Sequence, residues 1–168
     1  DNEGNIWIGT SNGLSKVMIG KHNSYTFTSY AVPWLNPTTS KTNDINSIAE
    51  DGKGGLLIAT ENSGLLRFDP KTGNFESLRW LGEPNSGPEA VRTILNNKQK
   101  GEYWIATIGG LYIANPEQDK YIGLRNTPDA PASISDNSVR SLYADRDGSI
   151  WIGTFHGGVN IYSPLSVQ

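Results

Sequence analysis

Short apolar segments alternate along the whole chain with turns rich in Gly, Asn and Asp, and one such segment recurs in every quarter of the sequence. Residues 4–10 and 148–154 both read Gly-polar-Ile-Trp-Ile-Gly-Thr. The four copies end at Thr residues that are spaced by 50, 47 and 47 positions, namely Thr10, Thr60, Thr107 and Thr154. A repeat of this length built from short strands is typical of a β-propeller, in which each repeat forms one blade.

Each repeat is predicted to contain four antiparallel strands, of which the Trp-bearing segment is the second. The apolar side chains of this segment stand at consecutive positions, as expected of a strand that neighbouring blades bury on both faces. The first strands are predicted at Ile45–Glu50, 91–95 and Val139–Ala144, the third at 14–19, 65–68, 111–114 and Val159–Tyr162, and the fourth at Tyr25–Tyr30, 75–80 and 121–125. The fold class is therefore all-β, with about four blades of four-stranded antiparallel sheet.

The predicted blades are residues 1–30, which lack a first strand, 45–80, 90–125, and 138–162, which lack a fourth strand. Because the chain begins inside a repeat, residues 1–168 are interpreted as a partial propeller, cut from a larger one. An open arc of blades exposes the apolar face of each end blade, and such patches favour association. We expect these faces to contact other blades of a parent protein or, in a homodimer, a second copy.

Composition excludes several classes of function. The net charge is −3, and Lys and Arg form no patch, which argues against binding of nucleic acid. There is no Cys, so neither a disulfide framework nor the usual zinc sites can form. No apolar stretch approaches the roughly 18 residues of a membrane-spanning helix, so no membrane contact is expected within this segment. The residues suggest no cofactor.

The repeat resembles the two-component regulator propeller repeat over essentially the whole chain. The matching residues are 137–142 (Asn-Ser-Val-Arg-Ser-Leu), 147–154, 157–159 and Tyr162. The second repeat departs from the pattern, because Leu57 stands where the other three have Trp. The resemblance implies a periplasmic sensor region of a hybrid two-component histidine kinase/response regulator from Bacteroidetes, anchored in the inner membrane.

The function that this resemblance implies is ligand sensing in signal transduction, with an oligosaccharide or polysaccharide fragment as the expected ligand. The segment itself is not expected to be an enzyme, although the parent chain would be a sensor histidine kinase. Two alternatives stay open, a propeller enzyme such as a lyase or glycan hydrolase, and a protein-interaction scaffold, because a fold does not fix a function. An enzyme should carry clustered His, Glu or Asp on the channel face, whereas Arg, Asn, Ser and Pro are expected there.

Candidate ligand-binding residues lie where the first strands begin, near one mouth of the central channel. Asn46, Arg92 and Arg140 each occupy the second position of a first strand. The long connecting segments and the turns between second and third strands lie at the same end, and loops on a rigid scaffold commonly bind ligands. They contribute Trp34, Trp80, Phe155 and His156.

Other conspicuous residues are better explained by structure than by chemistry. Trp7, Trp104 and Trp151 recur in the repeat, which predicts packing between blades. The sequence from Asp145 resembles the start of a calcium loop, but its twelfth position is His156 instead of Glu, so a hairpin turn is predicted. His22 and His156 are solitary, and no catalytic residue or metal site is predicted.

Overall fold

The computed structural model describes residues 1, 3–32, 44–78, 90–118 and 120–164. In these ranges the backbone forms antiparallel β-strands, and the only helical element is a single 3-10 turn at Lys21–Asn23. The strands group into four separate sheets, and within each sheet the strand order follows the sequence. The chain is thus all-β, with one sheet per repeat, as the repeat predicts.

We name the four sheets blades 1 to 4 in chain order. Blade 1 contains β1 (Ile6–Thr10), β2 (Gly13–Ile19) and β3 (Tyr25–Tyr30). Blade 2 contains β4 (Ile45–Glu50), β5 (Leu56–Thr60), β6 (Leu65–Asp69) and β7 (Asn74–Ser77). Blade 3 contains β8 (Val91–Asn97), β9 (Glu102–Thr107), β10 (Gly110–Asn115) and β11 (Lys120–Leu124). Blade 4 contains β12 (Val139–Ala144), β13 (Ile150–Thr154) and β14 (Val159–Tyr162).

The strands begin and end close to the predicted residues. β3, β4, β12 and β14 have the predicted bounds. β8 continues past its predicted end at 95, because Asn96 and Asn97 still pair with Tyr103 and Glu102 of β9. β7 ends at Ser77, whereas the predicted segment runs to 80, and residues 79 and 80 lie outside the described ranges.

The first strands of blades 2, 3 and 4 lie side by side, with β8 in contact with both β4 and β12. They are therefore the innermost strands, and their N-terminal ends point the same way. The turns between second and third strands lie at this end too, since the Glu61 N–H donates to the Asp44 carbonyl and the Phe155 N–H donates to the Ser138 carbonyl, each at 2.9 Å. We call this end of the blades the rim.

The repeated Thr residues shape the rim turns. Each Thr hydroxyl donates a hydrogen bond of 2.8–3.0 Å to the carbonyl of a Gly across the turn. The pairs are Thr10 with Gly13, Thr60 with Gly64, Thr107 with Gly110, and Thr154 with Gly158. The four Gly residues have positive φ values, a conformation that other residues adopt only with strain. The Thr and Gly of the repeat are thus explained by turn geometry.

In blade 4 the turn at the opposite end, between the first and second strands, is organised by Asp145. One carboxylate oxygen of Asp145 accepts the N–H groups of Asp147 and Ser149, and the other accepts the Trp151 indole N–H at 2.9 Å. The Trp151 bond, with these backbone bonds, lowers the pKa of the Asp145 carboxyl. The prediction of a hairpin turn at this site is confirmed.

Apolar side chains fill the spaces between successive blades. Between blades 3 and 4, Trp104 is 2% exposed and packs among Val139, Ile150 and Ile152. Between blades 1 and 2, Trp7 packs against the rings of Tyr30 and Phe68. The prediction that the repeated Trp packs between blades is therefore confirmed for these two residues.

The outer faces of the end blades carry the same kinds of side chain but leave them exposed. Ile6 and Ile8 are 47% and 40% exposed, whereas Ile150 and Ile152, at the same repeat positions, are 1% and 4% exposed. Trp151 is 41% exposed. The expected packing of Trp151 is not met within the described residues, because none of their blades lies beyond blade 4.

Candidate functional site

A β-bulge begins the first strand in each of blades 2, 3 and 4. The pairing register shifts between Ile45 and Ser47, between Val91 and Thr93, and between Val139 and Ser141. The extra residue at each shift is one of the predicted site residues, namely Asn46, Arg92 or Arg140. A bulge leaves its extra residue out of the ladder and redirects its side chain, and bulges are frequent beside functional sites. The repeat thus places three polar side chains at equivalent positions on the rim.

Asn46 and Arg92 converge on one carboxylate, that of Glu61. The Arg92 guanidinium donates to Glu61 Oε2 at 2.6 Å, and the Asn46 amide donates to the same oxygen at 3.0 Å. The Asn46 amide also donates to the Val91 carbonyl at 2.9 Å. Because Asn46 and Glu61 belong to blade 2 and Arg92 to blade 3, this cluster joins two blades at the rim.

Arg140 has a different environment. Its guanidinium carbon lies 4.4 Å from the ring centroid of Phe155, which is close enough for a cation–π interaction. No carboxylate in the described part of the chain forms an ion pair with Arg140. Phe155 is 55% exposed, so a cation and an aromatic ring both face solvent at this place.

Asp136 holds the turn that presents Phe155. One of its carboxylate oxygens accepts the His156 N–H at 2.9 Å, and the other accepts the Ser138 N–H at 3.1 Å. These two bonds, that of His156 foremost, hold the pKa of the half-buried Asp136 carboxyl below its usual value. The His156 ring packs edge-on against Phe155, with centroids 4.4 Å apart.

The seven predicted site residues therefore fall into three sets. Asn46 and Arg92 are brought together around Glu61, and Arg140, Phe155 and His156 form a second cluster on blade 4. Trp34 and Trp80 lie outside the described residues. Ligand contact by any of the seven stays a prediction.

Sequence reasoning missed Glu61, the residue that organises the first cluster. Glu61 follows the repeated Thr60 directly, as Phe155 follows Thr154, and this position varies while the Thr before it does not. That contrast was a usable signal. Asp136 was missed as well, because it lies in a long connecting segment where the repeat gives no register.

The described residues offer little toward catalysis or membrane insertion. Among them, no three side chains of His, Asp or Glu gather in a manner that could hold a metal ion. Glu61 and Asp136, the carboxylates of the two clusters, are both occupied by the hydrogen bonds described above. None of the described helices has the length and apolarity of a membrane span.

Comparison with known proteins identifies relatives of both the repeat and the fold. Residues 133–156 match the family described as two-component regulator propeller. The chain is 33% identical over 204 aligned residues to histidine kinase P4 of Formosa agariphila, an alignment that covers 95% of this chain and 15% of that protein.

Solved structures agree. The extracellular domain of the hybrid two-component system BT4673 from B. thetaiotaomicron superposes with a TM-score of 0.77 at 22% identity, over 96% of this chain and 20% of that one. The corresponding domain of BT3049 from the same organism gives a TM-score of 0.68 at 27% identity, over 95% of this chain and 19% of that one. The chain thus spans between 15% and 20% of the length of these relatives. The resemblance seen in the sequence is confirmed for residues 133–156, which match the two-component regulator propeller repeat, and the chain folds as successive blades of a β-propeller like these relatives.

Proposed function

We propose that this chain is a ligand-binding segment of a periplasmic sensor that belongs to a two-component signalling protein anchored in the inner membrane. Its relatives bear the names of a histidine kinase and of extracellular domains of hybrid two-component systems, which supports signalling and an extracytoplasmic position. The ligand is an oligosaccharide or polysaccharide fragment that carries acidic groups. The observation that carries this choice is the Arg140 guanidinium over the exposed ring of Phe155, at the rim and without a carboxylate partner among the described residues.

The chemistry of this pair suits an acidic sugar. A guanidinium presents planar, forked donors that bind a carboxylate with two hydrogen bonds. An exposed aromatic ring offers a large apolar surface for a sugar ring. Asn46 and Arg92 lie on the same rim, but the Asn46 amide and one guanidinium nitrogen of Arg92 already bond to Glu61, and Asn46 also bonds to the Val91 carbonyl. We assign those two residues to holding the rim in place rather than to contacting the ligand.

Binding without turnover is the expected outcome. A general acid or base needs a carboxylate or imidazole that is free to exchange a proton with the substrate. Glu61 accepts from Arg92 and Asn46, and Asp136 accepts two backbone N–H groups, so both carboxylates serve the structure. Sensing is therefore favoured over cleavage.

The partners of the end faces are, on this proposal, further blades of the parent propeller. Ile6 and Ile8 on blade 1 correspond to Ile150 and Ile152, which blade 3 buries in this chain. The outer face of blade 1 therefore carries the same apolar residues that blade 4 buries against the blade before it. A homodimer that joins the same faces is the alternative, and light scattering of the protein distinguishes a dimer from a monomer.

Calorimetric titration tests the choice of ligand. We expect the protein to bind a tetramer of galacturonate, with a Kd on the order of micromolar to millimolar, and to bind an uncharged tetrasaccharide more weakly. Added salt should weaken only the first interaction. Phe155→Leu, which keeps apolar bulk but removes the aromatic ring, should weaken both. Equal binding of the charged and uncharged sugars, or no binding of either, would overturn the proposal, and release of shorter sugars would indicate an enzyme.

A further inference from the structure

The three spaces between described blades are not filled alike. Between blades 1 and 2, the rings of Trp7 and Phe68 lie 5.4 Å apart. Between blades 3 and 4, the rings of Trp104 and Tyr162 lie 5.1 Å apart. In both cases the Trp comes from the second strand of the earlier blade, and its partner comes from the third strand of the later blade. The same pairing of a Trp with an aromatic residue of the next blade thus occurs in both of these interfaces.

Between blades 2 and 3, both members of the pair are replaced by smaller residues. Leu57 stands at the Trp position of blade 2. Ala114 stands at the partner position of blade 3, as the strand register shows. It pairs with Tyr103, the residue that precedes the Trp position. The residues that precede this position in blades 2 and 4 pair in the same way, Leu56 with Phe68 and Ile150 with Tyr162. Two aromatic rings are therefore missing from this interface alone.

An open cleft of about 310 Å³ occupies this interface. Its apolar wall is formed from both blades by Leu57, Leu65, Leu78, Ile105, Ala114 and Tyr121. A volume near 300 Å³ is at the lower end of the range for small-molecule sites. Such a cleft fits one or two aromatic rings, which is what the neighbouring interfaces hold at the same place.

The polar residues of the cleft lie at the end opposite the rim, around the turn between β4 and β5. In blades 1 and 4 the Trp indole donates to the turn Asp, as Trp7 does to Asp1 at 2.6 Å. In blade 2, where the side chain of Leu57 has no N–H, the guanidinium of Arg67 donates to Asp51 at 2.8 Å instead. Arg67 thus supplies the hydrogen bond that the indole makes in blades 1 and 4, but Leu57 does not fill the volume of an indole ring.

Two cationic side chains, Arg67 and Lys53, line the polar end of the cleft, where the carboxylates of Asp51 and Glu117 also lie near Tyr103. The Asp51 carboxylate is already occupied by Arg67 and by the N–H groups of Lys53 and Gly55. The remaining guanidinium nitrogens of Arg67 and the ammonium of Lys53 stay available, and Lys53 forms no ion pair with a described residue. The Tyr103 hydroxyl, which donates to the Asp51 carbonyl at 2.7 Å, closes this end.

We propose that the cleft between blades 2 and 3 is a second binding site, which takes a small aromatic carboxylate. The aromatic group lies where the two missing rings would lie, and the carboxylate lies between Arg67 and Lys53. The cleft extends from Leu65, beside a rim turn, to Arg67 and Lys53 at the opposite end, and it uses none of the residues assigned to the glycan. It goes beyond the proposed function, and either site can exist without the other.

Calorimetry and amide chemical-shift mapping with 2-naphthoate test the site. The protein should bind this probe with a Kd on the order of a millimolar or tighter, with shifts centred on Leu57, Arg67 and Tyr103. Acetate should not bind, and naphthalene-2-methanol, which lacks the charge, should bind about two- to fivefold more weakly. Lys53→Gln, an exposed substitution, should reduce the affinity for 2-naphthoate and leave that for the alcohol unchanged.

A variant that restores the missing aromatic pair tests the proposed site most directly. Leu57→Trp combined with Ala114→Tyr should weaken 2-naphthoate binding by about tenfold or more and raise Tm by about 2–4 °C. Arg140→Ala, as the control for anion binding at the rim, should leave binding unchanged. The site would be refuted if 2-naphthoate failed to bind, if it bound the refilled variant equally, or if shifts centred on the rim. Binding by Trp80→Ala but not by the unaltered protein would overturn it too, because the chain's own indole would then be the occupant.

Discussion

Arg92 and Arg140 occupy the same position of the repeat but have opposite surroundings. Each is the extra residue of a β-bulge at the start of an innermost strand. Arg92 reaches back to the preceding blade and pairs with Glu61, whereas Arg140 lies over Phe155 of its own blade. The difference arises in the preceding blade, because Ile108 follows Thr107 where Glu61 follows Thr60.

This comparison shows that a repeat position fixes where a side chain starts but not what the side chain does. An arginine with a carboxylate neighbour becomes a link between blades. Arg140, whose preceding blade carries Ile108 at the position of Glu61, forms no ion pair with a described residue. One residue on the neighbouring blade therefore accounts for the different surroundings of these two equivalent positions.

The largest expected effect is on stability, and it falls on the paired arginine. Arg92→Ala or Glu61→Ala should lower the free energy of unfolding by about 1–2 kcal/mol, because each leaves a partly buried charged group without its partner. Arg140→Ala, the matched control, should change it by less than about 0.5 kcal/mol. Urea denaturation followed by fluorescence measures all three. Equal losses for Arg92→Ala and Arg140→Ala would remove the distinction between them.

A smaller effect should follow from giving Arg140 the neighbour that Arg92 has. Ile108→Glu places a carboxylate at the position equivalent to Glu61, and we expect it to draw Arg140 away from Phe155. The new ion pair should add about 0.2–1 kcal/mol to stability at low salt and weaken binding of the galacturonate tetramer. Ile108→Gln is the control, since it changes shape without adding charge. Unchanged affinity in Ile108→Glu would show that Arg140 is not the anion-binding group.

The turn that carries Phe155 should matter less than either arginine. Asp136→Ala removes the acceptor of the His156 and Ser138 N–H groups, so the turn should loosen while the strands persist. We expect a modest, severalfold loss of affinity for the galacturonate tetramer with little change in urea midpoint. Asp129→Ala, a change of the same residue type in the same connecting segment, is the control. A collapse of stability in Asp136→Ala would mean that this residue supports more than the turn.

The smallest expected effect concerns pH. The carboxyl of Asp136 has its pKa lowered from 3.8, so its contribution is present above that value and is lost only as pH falls through the lower folded pKa. The amide resonance of Ser138, which donates to the same carboxylate, should therefore titrate with a midpoint below 3.8. A midpoint above that value would contradict the hydrogen-bonded turn.

Most of the fold could be predicted from the sequence because the same structural unit occurs four times in the chain. The spacing of Thr10, Thr60, Thr107 and Thr154 placed each second strand, and the Gly residues after them placed the turns. Each of these residues acts through contacts within its own hairpin, which local sequence encodes. The first strands were found for the same reason, including the polar residue at their second position.

The site could be predicted only in part, since its contacts run between blades. The partner of Arg92 lies on another blade, and no local pattern shows that Glu61 rather than solvent receives it. The cleft depends on two departures from the repeat, Leu57 and Ala114, that lie far apart in sequence. Only the register of three strands brings them to one interface. Each departure from the repeat can be seen in the sequence, but only the fold shows that the two residues lie at the same interface.

Titration of the galacturonate tetramer into Arg140→Ala and Arg92→Ala tests the division of roles at the rim most directly. Both variants remove one positive charge from the same repeat position, so nonspecific electrostatics cancel in the comparison. We expect Arg140→Ala to lose about tenfold or more in affinity, and folded Arg92→Ala to stay within about twofold of the unaltered protein. An equal loss in both variants, or a loss confined to Arg92→Ala, would contradict the assignment of the ligand to Arg140.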